Sequence, residues 1–152
     1  MKAHRLTIEL CPKTCWFSNV RSAISNGQWT YLSNKVRSDA YDVCRVCLAE
    51  ARDCHEVWFY DDHNLVRKLI GLRALCKNCH MVKHIGYAEV QGKGERALRH
   101  FMKVNDMTRA DARAAIKKSF YVWEQRSKKL WALDISLLND YGIDVSKVKG
   151  RK

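Results

Sequence analysis

One proline, Pro12, stands in 152 residues, and glycine numbers only seven. There is no internal repeat, so nothing marks a low-complexity linker or a repeat array. Long apolar runs are missing as well. None approaches the ~20 residues of a membrane span, and the opening MKAHRLTIELC lacks an uninterrupted stretch of secretory-signal length. The expectation is a cytoplasmic chain with no membrane partner. Acidic charge is scarce too: 16 Asp and Glu face 28 Lys and Arg, a formal net charge of +12. Such an excess repels itself in the folded state and suits a polyanionic partner, DNA first, with RNA left open. No basic amphipathic helix stands apart to favour a membrane surface. An apolar fraction of 47% excludes general disorder, and the length suits a single domain over residues 1–152.

Cysteine is what the chain has in plenty: seven, an odd number. In a reducing compartment, paired cysteines point to metal rather than to disulfides. Cys44-x-x-Cys47 and Cys76-x-x-Cys79 are two such pairs, with residues 48–75 between them. Each can form a tight knuckle, and four thiolates at about 2.3 Å close a tetrahedron around a structural Zn²⁺ with no place for substrate. A hairpin inserted between the knuckles explains the long spacing. Cys11, Cys15 and Cys54 read as small apolar fillers.

The stretch CKNCHMVKH adds His80 and His84. On a helix, positions four apart share a face, so both imidazoles can address one spot. A third ligand is expected from the hairpin, where His55 in DCHEVW is the candidate. His80 could instead join the zinc, which would need no second ion.

A cysteine pair, a strand carrying histidine, a return strand and then Cys-x-x-Cys-His-x-x-x-His resembles the HNH endonuclease family, over residues 44–86. The resemblance implies an α+β fold. Its centre is a ββα-metal core stapled by a four-cysteine zinc site, flanked by an N-terminal strand-helix extension (1–43), a helical C-terminal part (87–146) and a basic tail (147–152). It also implies a DNA endonuclease that nicks or cleaves both strands in a bacterial or phage-infected cell. In that reading His55, His80 and His84 hold a second divalent ion (Mg²⁺, Mn²⁺, Ni²⁺ or Zn²⁺) that activates water at the phosphodiester.

The sequence departs from the family in two places. Glu56 stands where a base histidine is usual, and the middle asparagine is replaced near Gly71. Two assignments stay open: His55 as ligand with Glu56 as base, or Glu56 as ligand with His55 as base. Consecutive strand residues point to opposite faces, so both serve one site only if the strand bends there. His63 and Asn64, in the turn, are weaker candidates. Lys77, Lys83 and Arg73 are expected phosphate contacts. A second reading is a nucleic-acid-binding or regulatory protein of a phage or mobile element whose site has decayed. A third is a host-protein binder anchored by aromatics among Trp16, Phe17, Trp29, Trp123 and Trp131, whose alternative role is core packing. A nicking monomer and a double-cutting homodimer are both allowed.

The expected elements are a strand at LTIEL (6–10), a helix from Ser25 or Asn26 through GQWTYLSNKVRSDAYDV, a hairpin of 54–60 and 65–75 about the DDHN turn, and a helix over KNCHMVKHI halted near Gly86. A helix over GKGERALRHFMKVN follows. The last helix is capped at Thr108 and carries Ala112, Ala115, Ile116, Phe120, Trp123 and Leu130 at helical spacing. Lys117, Lys118, Arg126 and Lys128 fall between those positions, as a solvated face or a phosphate-facing one.

Overall fold

A computed structural model of the chain describes residues 4–147 and shows a mixed α+β architecture with one three-stranded sheet. Its centre is a hairpin, β1 (Asp53–Asp61) paired antiparallel with β2 (Val66–Leu75). The turn between them is made by Asp61, whose Oδ1 accepts the amides of His63 and Asn64 at 3.0 and 2.9 Å. Leu65 closes it in the left-handed region (φ 56°). The register sets His55 opposite Arg73 and Val57 opposite Gly71, then slips at a bulge between Val57 and Trp58.

Helix α3 (Lys77–Lys83) leaves β2 at once, with Cys76 as its N-cap; the Cys76 Sγ accepts the Cys79 amide at 3.3 Å. His84 leaves helical geometry (φ −113°, ψ 47°), and α4 (Ile85–Val90) begins directly after it. The break therefore falls at His84, and Gly86 lies inside α4, where a Cβ would meet the Phe120 ring at 3.5 Å. Before the hairpin lie α1 (Val20–Ala23) and α2 (Asn26–Asp39). Ser25 caps α2 in a reciprocal pair with Gln28. After the hairpin come α5 (Gly94–Asn105) and α6 (Arg109–Arg126), the latter capped by Thr108 through the Asp111 amide.

Several expectations are corrected. LTIEL forms no strand: Leu6 lies in a bend, residues 7–10 have no regular structure, and one bond from the Glu9 amide to the Lys83 carbonyl at 3.1 Å ties the segment to α3. Helix α2 stops at Asp39 because Tyr41 and Asp42 turn left-handed (φ 55° and 54°). Helix α6 stops at Arg126, which leaves Leu130 beyond it and 81% exposed. The expected helical C-terminal part contains β3 (Ala132–Asp134), parallel to β2, and a 3-10 turn at Ser136–Tyr141. The basic tail lies outside the described residues from position 148 onward.

The main core joins Leu6, Leu75, Val82, Ile85, Phe101 and Ala112 with three of the paired cysteines, so the thiols sit where apolar contact is densest. A second cluster, Val20, Leu32, Leu69, Ile135 and Leu138, packs around β2, α1, α2 and the C-terminal turn. Trp29 and Trp58 are partly buried against that cluster, and Phe120 against the main one. Trp16 and Phe17 remain 54% and 74% exposed. No helix among the described residues is long and apolar enough to cross a membrane.

Candidate functional site

The first knuckle, Cys44 to Cys47, is folded back by the Cys44 amide on Ala49 O (2.7 Å) and the Leu48 amide on Cys44 O (3.1 Å). It is tied to the end of β2 by Arg45 N–H to Ala74 O and Arg52 N–H to Leu75 O, both 3.0 Å. These bonds carry Cys44 and Cys47 to the start of α3, where Cys76 and Cys79 stand. All four Sγ atoms lie within 4.8 Å of one another, and Cys47 and Cys76 are 3.5 Å apart. Thiolates around one zinc ion are about 3.8 Å apart, so the four sulfurs are close enough together to hold one such ion. Burial raises the Cys76 and Cys79 thiols. Burial raises Cys44 too, but the amides of Cys47, Cys76 and Val46 outweigh it and hold the thiol at about 7. Four cysteine sulfurs gathered this closely are compatible with a structural zinc ion. His100 Nε2, 3.2 Å from Cys79 Sγ, is invisible to sequence reasoning because α5 alone brings it there.

A second cluster is separate from the sulfurs. One ring nitrogen each from His55, His80 and His84 converge within 4.8 Å of one another. His55 comes from β1; His80 lies on α3 and His84 caps its C-terminal end, the His84 amide bonding to the His80 carbonyl at 3.3 Å. Ring centroids are 5.3 Å (His55–His80), 5.5 Å (His55–His84) and 4.9 Å (His80–His84). His80 therefore belongs to the imidazole cluster rather than to the cysteine cage.

His80 Nδ1 is hydrogen-bonded to Asp53 Oδ2 at 2.9 Å, and Lys77 Nζ donates to Asp53 Oδ1 at 2.5 Å. That leaves His80 Nε2 for a ligand, in the carboxylate–histidine arrangement common behind metal-bound imidazoles. His55 is 3% exposed, and its Nε2 is a buried nitrogen without a hydrogen-bond partner. Glu9 Oε2 lies 3.4 Å from that nitrogen. Glu9 faces that nitrogen, so the His55 ring would have its Nδ1 for a ligand, and three imidazoles crowded together are a natural ligand set for a metal ion.

Burial, with the charges of His80 and His55, pushes His84 down to about 3. Burial also lowers His55. Both rings are thus neutral at neutral pH, with lone pairs to give. Burial raises Asp53, but Lys77 and His80 outweigh it and hold it below the usual carboxylate value. The residues present fit a divalent ion.

Sequence reasoning missed Glu9 and Asp53. Asp53 carries a signal, since it stands two residues before His55 and so shares its strand face.

Glu56 is corrected. It follows His55 and so faces away from the histidines, and its carboxylate accepts the Val20 amide at 2.5 Å, at the start of α1. Burial raises its pKa, which the Val20 amide and Arg67 partly offset. It is engaged in holding α1 and is not placed as a base or ligand beside His55. Glu56→Ala is expected to cost about 1–2 kcal/mol by orphaning that amide, measured as a lower urea midpoint.

Lys83 is also corrected: it is 2% exposed, paired with Glu9 and bonded to Thr7 Oγ1 at 2.8 Å, so it cannot serve as a surface phosphate contact. Lys77 is exposed, and Arg73 reaches Arg45 O at 3.5 Å. His63 is exposed in the hairpin turn, and Asn64 Nδ2 donates to Asp61 Oδ2 at 2.8 Å. Six strand residues, about 20 Å, separate that end of β1 from His55. Gly71 pairs with Val57 beside the bulge.

A cavity of about 810 Å³ opens over this face, with Glu9, Asp53, His55, His80 and His84 among its lining. Arg21, Arg37, Arg52, Lys77, Lys118 and Arg126 also border it. The lining also holds the carboxylates of Glu9, Asp53 and Glu56, with Glu56, Cys54 and Trp58 coming from the other face of β1; six basic side chains outnumber these three acids. Comparison with protein-family models, with curated protein sequences and with solved structures finds no match.

Proposed function

We propose that this chain is a metal-dependent phosphodiesterase acting on DNA, of the HNH kind, with zinc in the cysteine cage holding the frame and the three histidines taking a second divalent ion. The observation that carries the reading is the convergence of His55, His80 and His84 beneath a cation-lined cavity, apart from the cysteines. A structural zinc module needs no such second cluster. The order β1, β2, α3, with histidines on the first strand and on the helix, is the one the resemblance implies for a ββα-metal core.

A divalent ion bound there supplies Lewis-acid polarisation of a phosphoryl oxygen and lowers the pKa of water. The chain's own groups bind and orient. Asp53, held by Lys77, fixes the His80 ring, and Lys118 on α6 and Arg21, which border the cavity, would take flanking phosphates. The net charge of +12 favours approach of a polyanion.

A second reading, nucleic-acid binding without turnover, has one observation in its favour: Glu56, at the family's base position, is turned to the Val20 amide. Supercoiled-plasmid nicking in Mg²⁺, Mn²⁺ or Ni²⁺ separates the two. The first reading expects nicking with at least one of these ions. The second expects DNA binding that weakens steeply with salt and no nicking with any of them.

A further inference from the structure

Glu9 belongs to no helix or strand, yet its position is fixed. The Leu6 amide donates to Asn105 Oδ1 and Asn105 Nδ2 returns a bond to Leu6 O, both 2.9 Å and both buried. Three residues on, the Glu9 amide bonds to Lys83 O. Between these ties Thr7 Oγ1 accepts from Lys83 Nζ, and the same ammonium pairs with the Glu9 carboxylate. The segment thus delivers one carboxylate to one place: Oε2 stands 3.4 Å from His55 Nε2, the nitrogen that has no hydrogen-bond partner.

Two of the three imidazoles then show the same construction. Behind His80 stands Asp53, pinned by Lys77; behind His55 stands Glu9, pinned by Lys83. Burying the Lys83 ammonium beside a partly exposed Glu9 is an expensive way to fill space, since desolvating the charge offsets most of its attraction to the carboxylate. An apolar pair would pack as well. The repetition is explained if both carboxylates serve the rings.

We propose that Glu9 is a positioning residue of the three-histidine site, setting the His55 ring and adding negative charge behind it, with Lys83 as the latch that holds Glu9 in place. This rests on the proposed binding of a second divalent ion by His55, His80 and His84. Carboxylates in this role orient the imidazole and increase its basicity, and losing one typically weakens metal binding ten- to a hundredfold.

The test is a Co²⁺ titration of the zinc-loaded full chain, following the thiolate-free cobalt spectrum so that exchange into the cysteine cage is seen separately. Glu9→Gln is expected to weaken Co²⁺ binding ten- to a hundredfold. The double variant Glu9→Gln/Lys83→Met removes the buried cation along with its partner, so the fold is relieved of an unpaired charge. If Glu9 positions His55, the double variant stays as weak as the single one. Wild-type Co²⁺ affinity in the double variant would make Glu9 a mere partner for Lys83 and overturn the proposal, leaving the three-histidine site standing. A wild-type chain that takes no Co²⁺ outside the cage would overturn both.

Discussion

Cys79→Ser is expected to leave a chain that retains no zinc and shows no cooperative thermal transition. Cys79 is fully buried (0% exposed) on the first turn of α3, within the cluster that includes Leu75, Val82 and Phe101. A serine hydroxyl is a poor fourth ligand for zinc, so the remaining three cysteines no longer close a tetrahedron around it. Binding of a structural zinc contributes about 10–16 kcal/mol in small domains, against a typical net stability of about 5–15 kcal/mol. The cage therefore decides whether the N-terminal knuckle, the end of β2 and α3 hold together at all. Zinc content by elemental analysis and a melting curve by circular dichroism check it; a zinc-free variant that melts like wild type would reduce the cage to free thiols.

His84→Ala is expected to do the opposite: leave the fold and the zinc in place and remove the proposed nuclease chemistry. His84 is half-buried, sits between α3 and α4, and its side chain has ring contacts with His55 and His80 but no hydrogen bond among the described residues. Truncating it creates no unsatisfied partner. It does take one of three ligands from the proposed second site. Losing an ion that supplies several kcal/mol of transition-state stabilisation corresponds to a fall in plasmid nicking of about a hundredfold or more. The zinc content should stay that of wild type, and the melting temperature should change little. Nicking at the wild-type rate would remove this face from the reaction.

The two variants differ because the two sets of ligands rest on different kinds of signal. The cysteines are legible by spacing: a Cys-x-x-Cys pair makes its own knuckle, whatever surrounds it. His80 and His84 are legible by helical period, and the hairpin by its apolar strands and the Asp61–Asn64 turn. The same logic, carried one step further, points to Asp53, because a strand that aims His55 at the site aims Asp53 there too and Glu56 away.

Glu9 has no such signal. Its place depends on Asn105 gripping Leu6 from the far end of α5, a contact that no local pattern encodes. The same long-range closure explains Lys83: α3 alone would leave it at the surface, and the segment from Leu6 to Glu9 covers it. The strand β3 is hidden in the sequence because three residues with exposed or half-exposed side chains show no alternation to read. Helix α2 reads too long because the left-handed turn at Tyr41 and Asp42 falls on residues that tolerate helix.

The central claim is that imidazoles and thiolates hold separate ions, and native mass spectrometry of the full chain after reconstitution with Zn²⁺ and Co²⁺ reads this directly. The wild-type chain is expected to carry two metal ions, and a His55→Ala/His80→Ala/His84→Ala variant one, retained by the cysteines. A single ion in both would contradict the account.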